Sequence, residues 1–332
     1  RIKEIQQGEE RVSSLKSILS AIGLRGAKVI TLLNSPQAMV KRVVVPQMPR
    51  DELRGALALE IKNYFPFPVT DSLIDFEVVG EVMEKGVKKM ELLLAICPQQ
   101  AIKEHIALLR QVGISPAQII HPSVALYNLL RRSFANESLS FAVIDIGKIF
   151  SELVILRDGK LVFSRKIPIS GDDFTKALTA PLFSEHGKIQ LDYDDAEKIK
   201  REYGIPQEAT TPLIENIITP SQVRFLLRPL AERLAHEIER SFDFYREESQ
   251  GEKVEKLILM GGSARLKGLD KFLSDELGIE VALYDVLEGI AADTRALSAV
   301  THINRIAGAI GCAINKPIGI NLLPLEIKQQ MQ

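Results

Sequence analysis

Three stretches of this chain combine small residues and charged groups in spacings suited to a phosphorylated ligand. The first is Gly261-Gly262-Ser263-Ala264, which follows the apolar run Leu257–Met260 and precedes the amphipathic stretch Leu269–Leu277. A strand, a tight small-residue turn and a helix start let backbone N–H groups approach an anion, and the helix N-terminus adds partial positive charge. The second is Asp145-Ile146-Gly147, an acid at the end of an apolar strand that begins at Phe141. An Asp there can hold a hydrated Mg²⁺, and the glycine lets N–H groups face phosphate. The third is Glu197 with Lys200, three apart and so on one helix face. The Glu can accept both ribose hydroxyls, and the Lys can reach a sugar or base edge. Each piece has an ordinary alternative: a ligand-free Gly-Gly turn, a β-turn with a solvated Asp, a surface Glu–Lys pair. Their occurrence together is far more specific than any one alone.

The elements that must position these residues follow from the patterning. At 332 residues the chain is long enough for about two domains. It is 46% hydrophobic and 26% charged, the composition of a globular protein with a real core. A formal net charge of −1 gives no electrostatic case for nucleic acid or an anionic membrane, and with no Trp and 6% aromatics a base-stacking platform is not expected. Cys97 and Cys312 each sit in an apolar run and read as buried reduced thiols. The five histidines show no ligand-like spacing, so no metal site is assigned to them. No apolar stretch reaches membrane-spanning length, and no signal peptide is expected.

Apolar periodicity predicts helices over 11–21, 50–64, 98–112 and 122–134, and strands over 28–33, 39–46, 74–82, 89–96 and 114–120. Residues 28–110 thus form a small α+β unit. A β-meander follows at 140–146, 152–156 and 161–167, with an Asp158-Gly159 hairpin turn. Residues 172–249 read as mainly helical. The strand–turn–helix of 257–278, a short strand at 281–285 and a small-residue helix at 303–314 complete the body.

In chain order, Asp145-Ile-Gly147, the Gly171 segment (Ile167-Pro-Ile-Ser-Gly-Asp-Asp-Phe-Thr175), Ala196-Glu-Lys-Ile-Lys200 and Gly261-Gly-Ser-Ala264 resemble the actin-like ATPase superfamily, near the division protein FtsA. More narrowly, Arg42-Val-Val-Val-Pro-Gln-Met-Pro-Arg-Asp-Glu-Leu53, Glu60-Ile-Lys-Asn-Tyr-Phe-Pro-Phe-Pro68 and Asp75-Phe-Glu-Val78 are similar to the extra subdomain of the PilM family of type IV pilus assembly proteins. The resemblance spans about residues 10–315. It implies an α/β, actin-like (ribonuclease-H-like) two-lobed ATPase fold with an inserted small α+β subdomain. The first lobe would comprise 1–27, 111–137 and 303–315, the insert 28–110, and the second lobe 138–302 with a helical subdomain at about 172–250.

By the same resemblance the cofactor is ATP or ADP with Mg²⁺. Asp145, as metal contact, and Gly147 would lie by the Mg²⁺ and the β/γ-phosphates. Glu197 and Lys200 would meet ribose and adenine. Gly262, Ser263 and Ala264 would cradle the adenosine and α-phosphate, with Gly171, Gly261 and Leu266 completing the set. Two departures stand out. The family opens with a strand-Asp-x-Gly hairpin that residues 1–30 lack, so that half of the phosphate grip is expected to have been removed or to lie outside this chain. Lys148-Ile149-Phe150 replaces small and hydroxyl residues; Lys148 can reach phosphate as a point charge. No residue stands out as a base for activating water. The expectation is a nucleotide that locks two lobes together, with weak or no hydrolysis.

The tail, 316–332, contains Ile320-Asn321-Leu322-Leu323-Pro324, which resembles the cytoplasmic motif of PilN, the inner-membrane partner in that family. Leu322, Leu323 and Ile320 can fill pockets, Asn321 can pair with backbone, and Pro324 lowers the cost of ordering. An apolar tail packing on its own domain is the plainer reading, and the two coincide if the motif docks in cis; docking in trans is equally open. The resemblance therefore implies a cytoplasmic scaffold at the inner face of the inner membrane, peripheral to it through PilN and linked to other pilus platform and motor proteins. A superfamily kinase and an FtsA-like filament former are the alternatives, although this proline-containing tail is not the amphipathic membrane helix of the latter.

Overall fold

The computed structural model describes residues 11–23, 27–60, 65, 71–134, 139–184, 187–206, 214, 217–286, 303–314 and 319–330. Its centre is a five-stranded sheet ordered β12-β11-β6-β7-β8, built from β6 (Phe141–Ile146), β7 (Ser151–Arg157), β8 (Lys160–Ile167), β11 (Lys256–Met260) and β12 (Glu280–Leu283). The meander β6-β7-β8 is antiparallel, whereas β11 runs parallel to both β6 and β12. The runs Phe141–Ile144 of β6, Leu153–Leu156 of β7 and Leu257–Met260 of β11 are apolar throughout because both faces are covered there. Val143, Val154, Ile258 and Met260 face one core, and Ala142, Ile144, Leu153 and Leu257 face the other.

The first core packs the sheet against α4 (Pro122–Ser133), with the two-stranded parallel pair of β1 (Ile30–Leu32) and β5 (Gln118–Ile120) beside it. The second core lies under α5 (Gly171–Leu178), α6 (Tyr193–Tyr203), α7 (Pro220–Glu248) and α8 (Leu269–Leu277). Serine and threonine caps start two of these helices: Ser170 forms a capping box with Asp173, and Thr219 one with Gln222.

A third core belongs to the small α+β unit, where α2 (Arg50–Glu60) lies on the antiparallel sheet β2-β4-β3. Its strands are β2 (Met39–Pro46), β3 (Ser72–Glu84) and β4 (Val87–Pro98). Alternation along β4 puts Leu92, Leu94 and Ile96 into this core and Leu93, Ala95 and Cys97 into the first. Glu91, 3% exposed, ties the unit to the meander: it accepts from Lys160 at 2.8 Å on β8 and pairs with Arg42 on β2.

Most predicted elements are present, including α1 (Arg11–Ile22) and α3 (Gln99–Gln111). Residues 61–64 of the predicted helix at 50–64 lie outside the described set. Within the stretch read as helical, β9 (Leu182–Ser184) and β10 (Gly187–Ile189) form a short antiparallel pair. The 303–314 segment opens as a 3₁₀ turn (Ile303–Ile306) before α9 (Ala307–Ala313), and the tail ends in an unanticipated helix, α10 (Leu325–Gln330). Cys97 and Cys312 are free and buried. Among the described residues no helix is long and apolar enough to cross a membrane.

α9 crosses α4 so closely that a Cβ on Gly311 would stand 1.9 Å from the Ala125 carbonyl oxygen. Gly311→Ala is therefore expected to lower stability by about 1–3 kcal/mol, read from urea unfolding midpoints.

Candidate functional site: strand-end turns and tail groove

The first candidate site lies where three segments leave the central sheet at one end. After β6 the chain turns through Gly147, whose N–H donates to the Phe150 carbonyl at 3.2 Å. The start of α5 closes onto this turn: Gly171 N–H donates to the Gly147 carbonyl at 2.8 Å and Asp172 N–H to Lys148 at 3.0 Å. The turn after β11 joins from the other side, with Ser263 N–H donating to the Ile146 carbonyl at 3.1 Å. Gly261 has φ +90°, and a Cβ there would lie 2.2 Å from Asp145 Oδ1 and 2.7 Å from the Ile146 backbone. Only glycine allows that approach.

Asp145, Gly147, Gly171, Gly261 and Ser263 are thus drawn together. Lys148 is exposed at the rim, as is Gly262. Ala264 and Leu266 are buried in the second core, so their side chains face away from this site. The amides of Lys148, Ile149 and Gly262 make no hydrogen bond among the described residues, which leaves donors for an anion.

Glu197 and Lys200 do share a face, and they face each other at 2.5 Å. Lys200 is buried, and its ammonium also donates to the Gly171 carbonyl at 2.9 Å and Thr175 Oγ1 at 2.8 Å. Glu197 accepts from Thr175 at 2.5 Å and Arg201 at 2.7 Å. The pair therefore pins the first turn of α5, and with it Gly171, at the wall of this site. Tyr193 reinforces the same turn by donating to Asp172.

One acidic group escaped the sequence reading. Glu152 stands opposite Asp145 in the β6–β7 register, and Lys166 stands opposite Glu152 in the β7–β8 register. Glu152 is 3% exposed; one oxygen accepts from Ser123 Oγ and the other, Oε2, has no hydrogen-bond partner among the described residues. Burial pushes Asp145 up to about 6 and Glu152 up to about 7, the Ser123 hydrogen bond opposing the latter shift. His121 is buried and pushed down to about 3 by desolvation, hence neutral; its Nδ1 accepts from Ser123 N–H at 3.2 Å while Nε2 lies 3.3 Å from the Ala38 carbonyl. Lys166 donates to the Ser35 carbonyl at 2.6 Å and lies 4.0 Å over the Phe150 ring. The only signal for Glu152 was a charge inside an otherwise apolar strand.

The second site is a groove between β5 and β3, and it holds the tail. Ile320, Leu322 and Leu323 are buried as members of the first core. Asn321 Oδ1 accepts from Ile119 N–H at 3.0 Å and from Leu323 N–H at 3.0 Å, while its Nδ2 donates to the Ala117 carbonyl at 3.4 Å. Leu322 N–H donates to the Ile119 carbonyl at 2.9 Å. From the other wall, Asp75 of β3 accepts from Asn321 N–H at 2.8 Å. The Pro324 carbonyl starts α10, which returns Lys328 to donate to the Asn321 carbonyl at 2.8 Å, 3.9 Å from Asp75. A cavity of about 220 Å³ remains beside the tail, lined in part by Arg54, Leu57, Phe76 and Leu325.

The fold is of the actin-like kind, mixed α/β with an added small α+β unit. The family model described as type IV pilus assembly protein PilM matches residues 2–316, and the chain belongs to that family. A solved PilM-PilN type IV pilus biogenesis complex is similar at 25% identity and a TM-score of 0.72, covering 93% of this chain and 87% of that one. The cell division protein FtsA of Staphylococcus epidermidis is 24% identical over 157 residues, 45% of this chain and 32% of its own length. The chaperone protein DnaK of Nitrosopumilus maritimus is 24% identical over 270 residues, 70% of this chain and 42% of its own length. The chain thus spans less than half the length of these two relatives.

Two outcomes follow from this geometry. Asp145 and Glu152 bind protons more tightly folded than unfolded, so their contribution is full below about pH 4 and is lost as pH rises through about 6 and 7. Glu152→Gln is expected to exceed wild type at pH 8 by on the order of 2–3 kcal/mol in urea unfolding and to match it near pH 4. In the groove, Asn321→Ala leaves the Ile119 N–H without its acceptor, at a cost of about 1–3 kcal/mol, so exchange of the Leu322 amide is expected to quicken about tenfold or more.

Proposed function

We propose that this chain is a nucleotide-loaded scaffold of a type IV pilus assembly platform, and that its groove holds an Ile-Asn-Leu-Leu-Pro motif of the kind carried by PilN. The observation that carries this reading is the seated tail, with Asn321 bonded to both walls and three apolar side chains in the core. The solved PilM-PilN complex, similar over 93% of the chain, supports the same partner. The protein would act at the cytoplasmic face of the inner membrane, held there through the PilN-type motif seated in its groove and joined to further platform and motor proteins.

At the strand-end turns, the residues fit ATP or ADP with Mg²⁺. The unbonded amides of Lys148, Ile149 and Gly262 supply anion donors, and Lys148 adds a positive charge at the rim. Asp145 would take the hydrated metal, whose charge favours its ionised form. Ser263 and Gly171 form the wall, which Glu197 and Lys200 brace from behind. The metal would neutralise phosphate charge; the chain's own part is to orient the phosphates and draw the lobes together. The ligand's value here is mechanical, since whatever binds only the folded form stabilises it.

Thermal unfolding with and without MgATP or MgADP tests this. At a free concentration one hundred times Kd, either ligand is expected to add about 2.7 kcal/mol and raise Tm, and Asp145→Asn to abolish most of the Mg²⁺-dependent part. Absence of any shift with both nucleotides contradicts nucleotide loading.

A further inference from the structure

We propose that the chain commits its groove to its own tail: residues 319–330 are the resident occupant, and the same motif on another molecule is shut out. The inference rests on reading the groove as the motif-binding site. Three observations carry it. Ile320, Leu322 and Leu323 are 1%, 1% and 3% exposed and share one core with Ile119, Ile120 and Val124, so the tail completes the packing of this core. Its polar groups are spent on both walls, on Ala117 and Ile119 of one and Asp75 of the other. α10 then folds back, and Lys328 covers the Asn321 carbonyl.

Connectivity makes this occupancy hard to displace. Ile314, at the end of α9, is only four residues, 315–318, from Gly319. A short tether holds its ligand at an effective concentration on the order of millimolar. A free peptide must compete with that concentration as well as match the bonds. The consequence is a fixed ratio of one motif per body, and a platform partner must recognise the occupied groove rather than fill an empty one.

The test is titration of a fluorescent peptide of residues 319–330 into three proteins that each span residues 1–332. These are the wild type, the N321A/L322A variant, and a protein with a protease site in place of 315–318, measured after cleavage. The expected result is half-saturation of the wild type only near millimolar peptide, about 100-fold or more weaker than for either altered protein. Saturation of all three in one micromolar range would overturn the proposal while leaving the groove reading intact. No binding to the cleaved protein, with a circular dichroism spectrum like the wild type's, would overturn the groove reading and the proposal together.

Discussion

A strand buried on both faces can carry charge only where its end leaves the core, and that constraint organises this molecule. β6 is apolar from Phe141 to Ile144 because one face meets α4 and the other meets the α7 side. Polar chemistry is confined to the point where the faces open. Asp145, Glu152 and Lys166 form a row across β6, β7 and β8 there, and the glycine turn at Gly261 makes space for the Asp145 carboxyl. The first candidate site is the polar rim of a hydrophobic layer.

The same logic places the groove. β4 serves two cores through its alternating faces, which fastens the small unit to the first core. Between that unit and β5 a seam remains that neither fills. The tail fills it, with apolar residues continuing the first core and one carboxamide matching the Ile119 N–H of β5 and the Ala117 carbonyl just before that strand. Asn suits this position because it accepts and donates at once. Aspartate would lose the donor, and leucine would strand the Ile119 amide.

Much of this was legible in the chain because it is local. The β3–β4 hairpin, the β6–β7–β8 meander, the two glycine turns and the Asn321 motif each announce themselves within one continuous stretch of chain. What was not legible depends on pairing across distance. Lys200 finds the Gly171 carbonyl 29 positions away, a partner no helical spacing could name. Glu152 gains meaning only from the register that sets it opposite Asp145 and from Ser123 on another element. Asp75, 246 positions from Asn321, was noticed as part of a resemblance and not as a wall of the groove. The pair β9–β10 was hidden because three-residue strands are too short to show a period.

The tail is part of the folded core and closes the seam between the small unit and the rest of the first core. Amide hydrogen exchange of the wild-type chain, with residues 319–323 read beside β5 and α4, tests it most directly. The account predicts that the amides of Asn321, Leu322 and Leu323 are protected to nearly the level of Ile119. Exchange of those amides at the rate of an open chain, with Ile119 still protected, would contradict it.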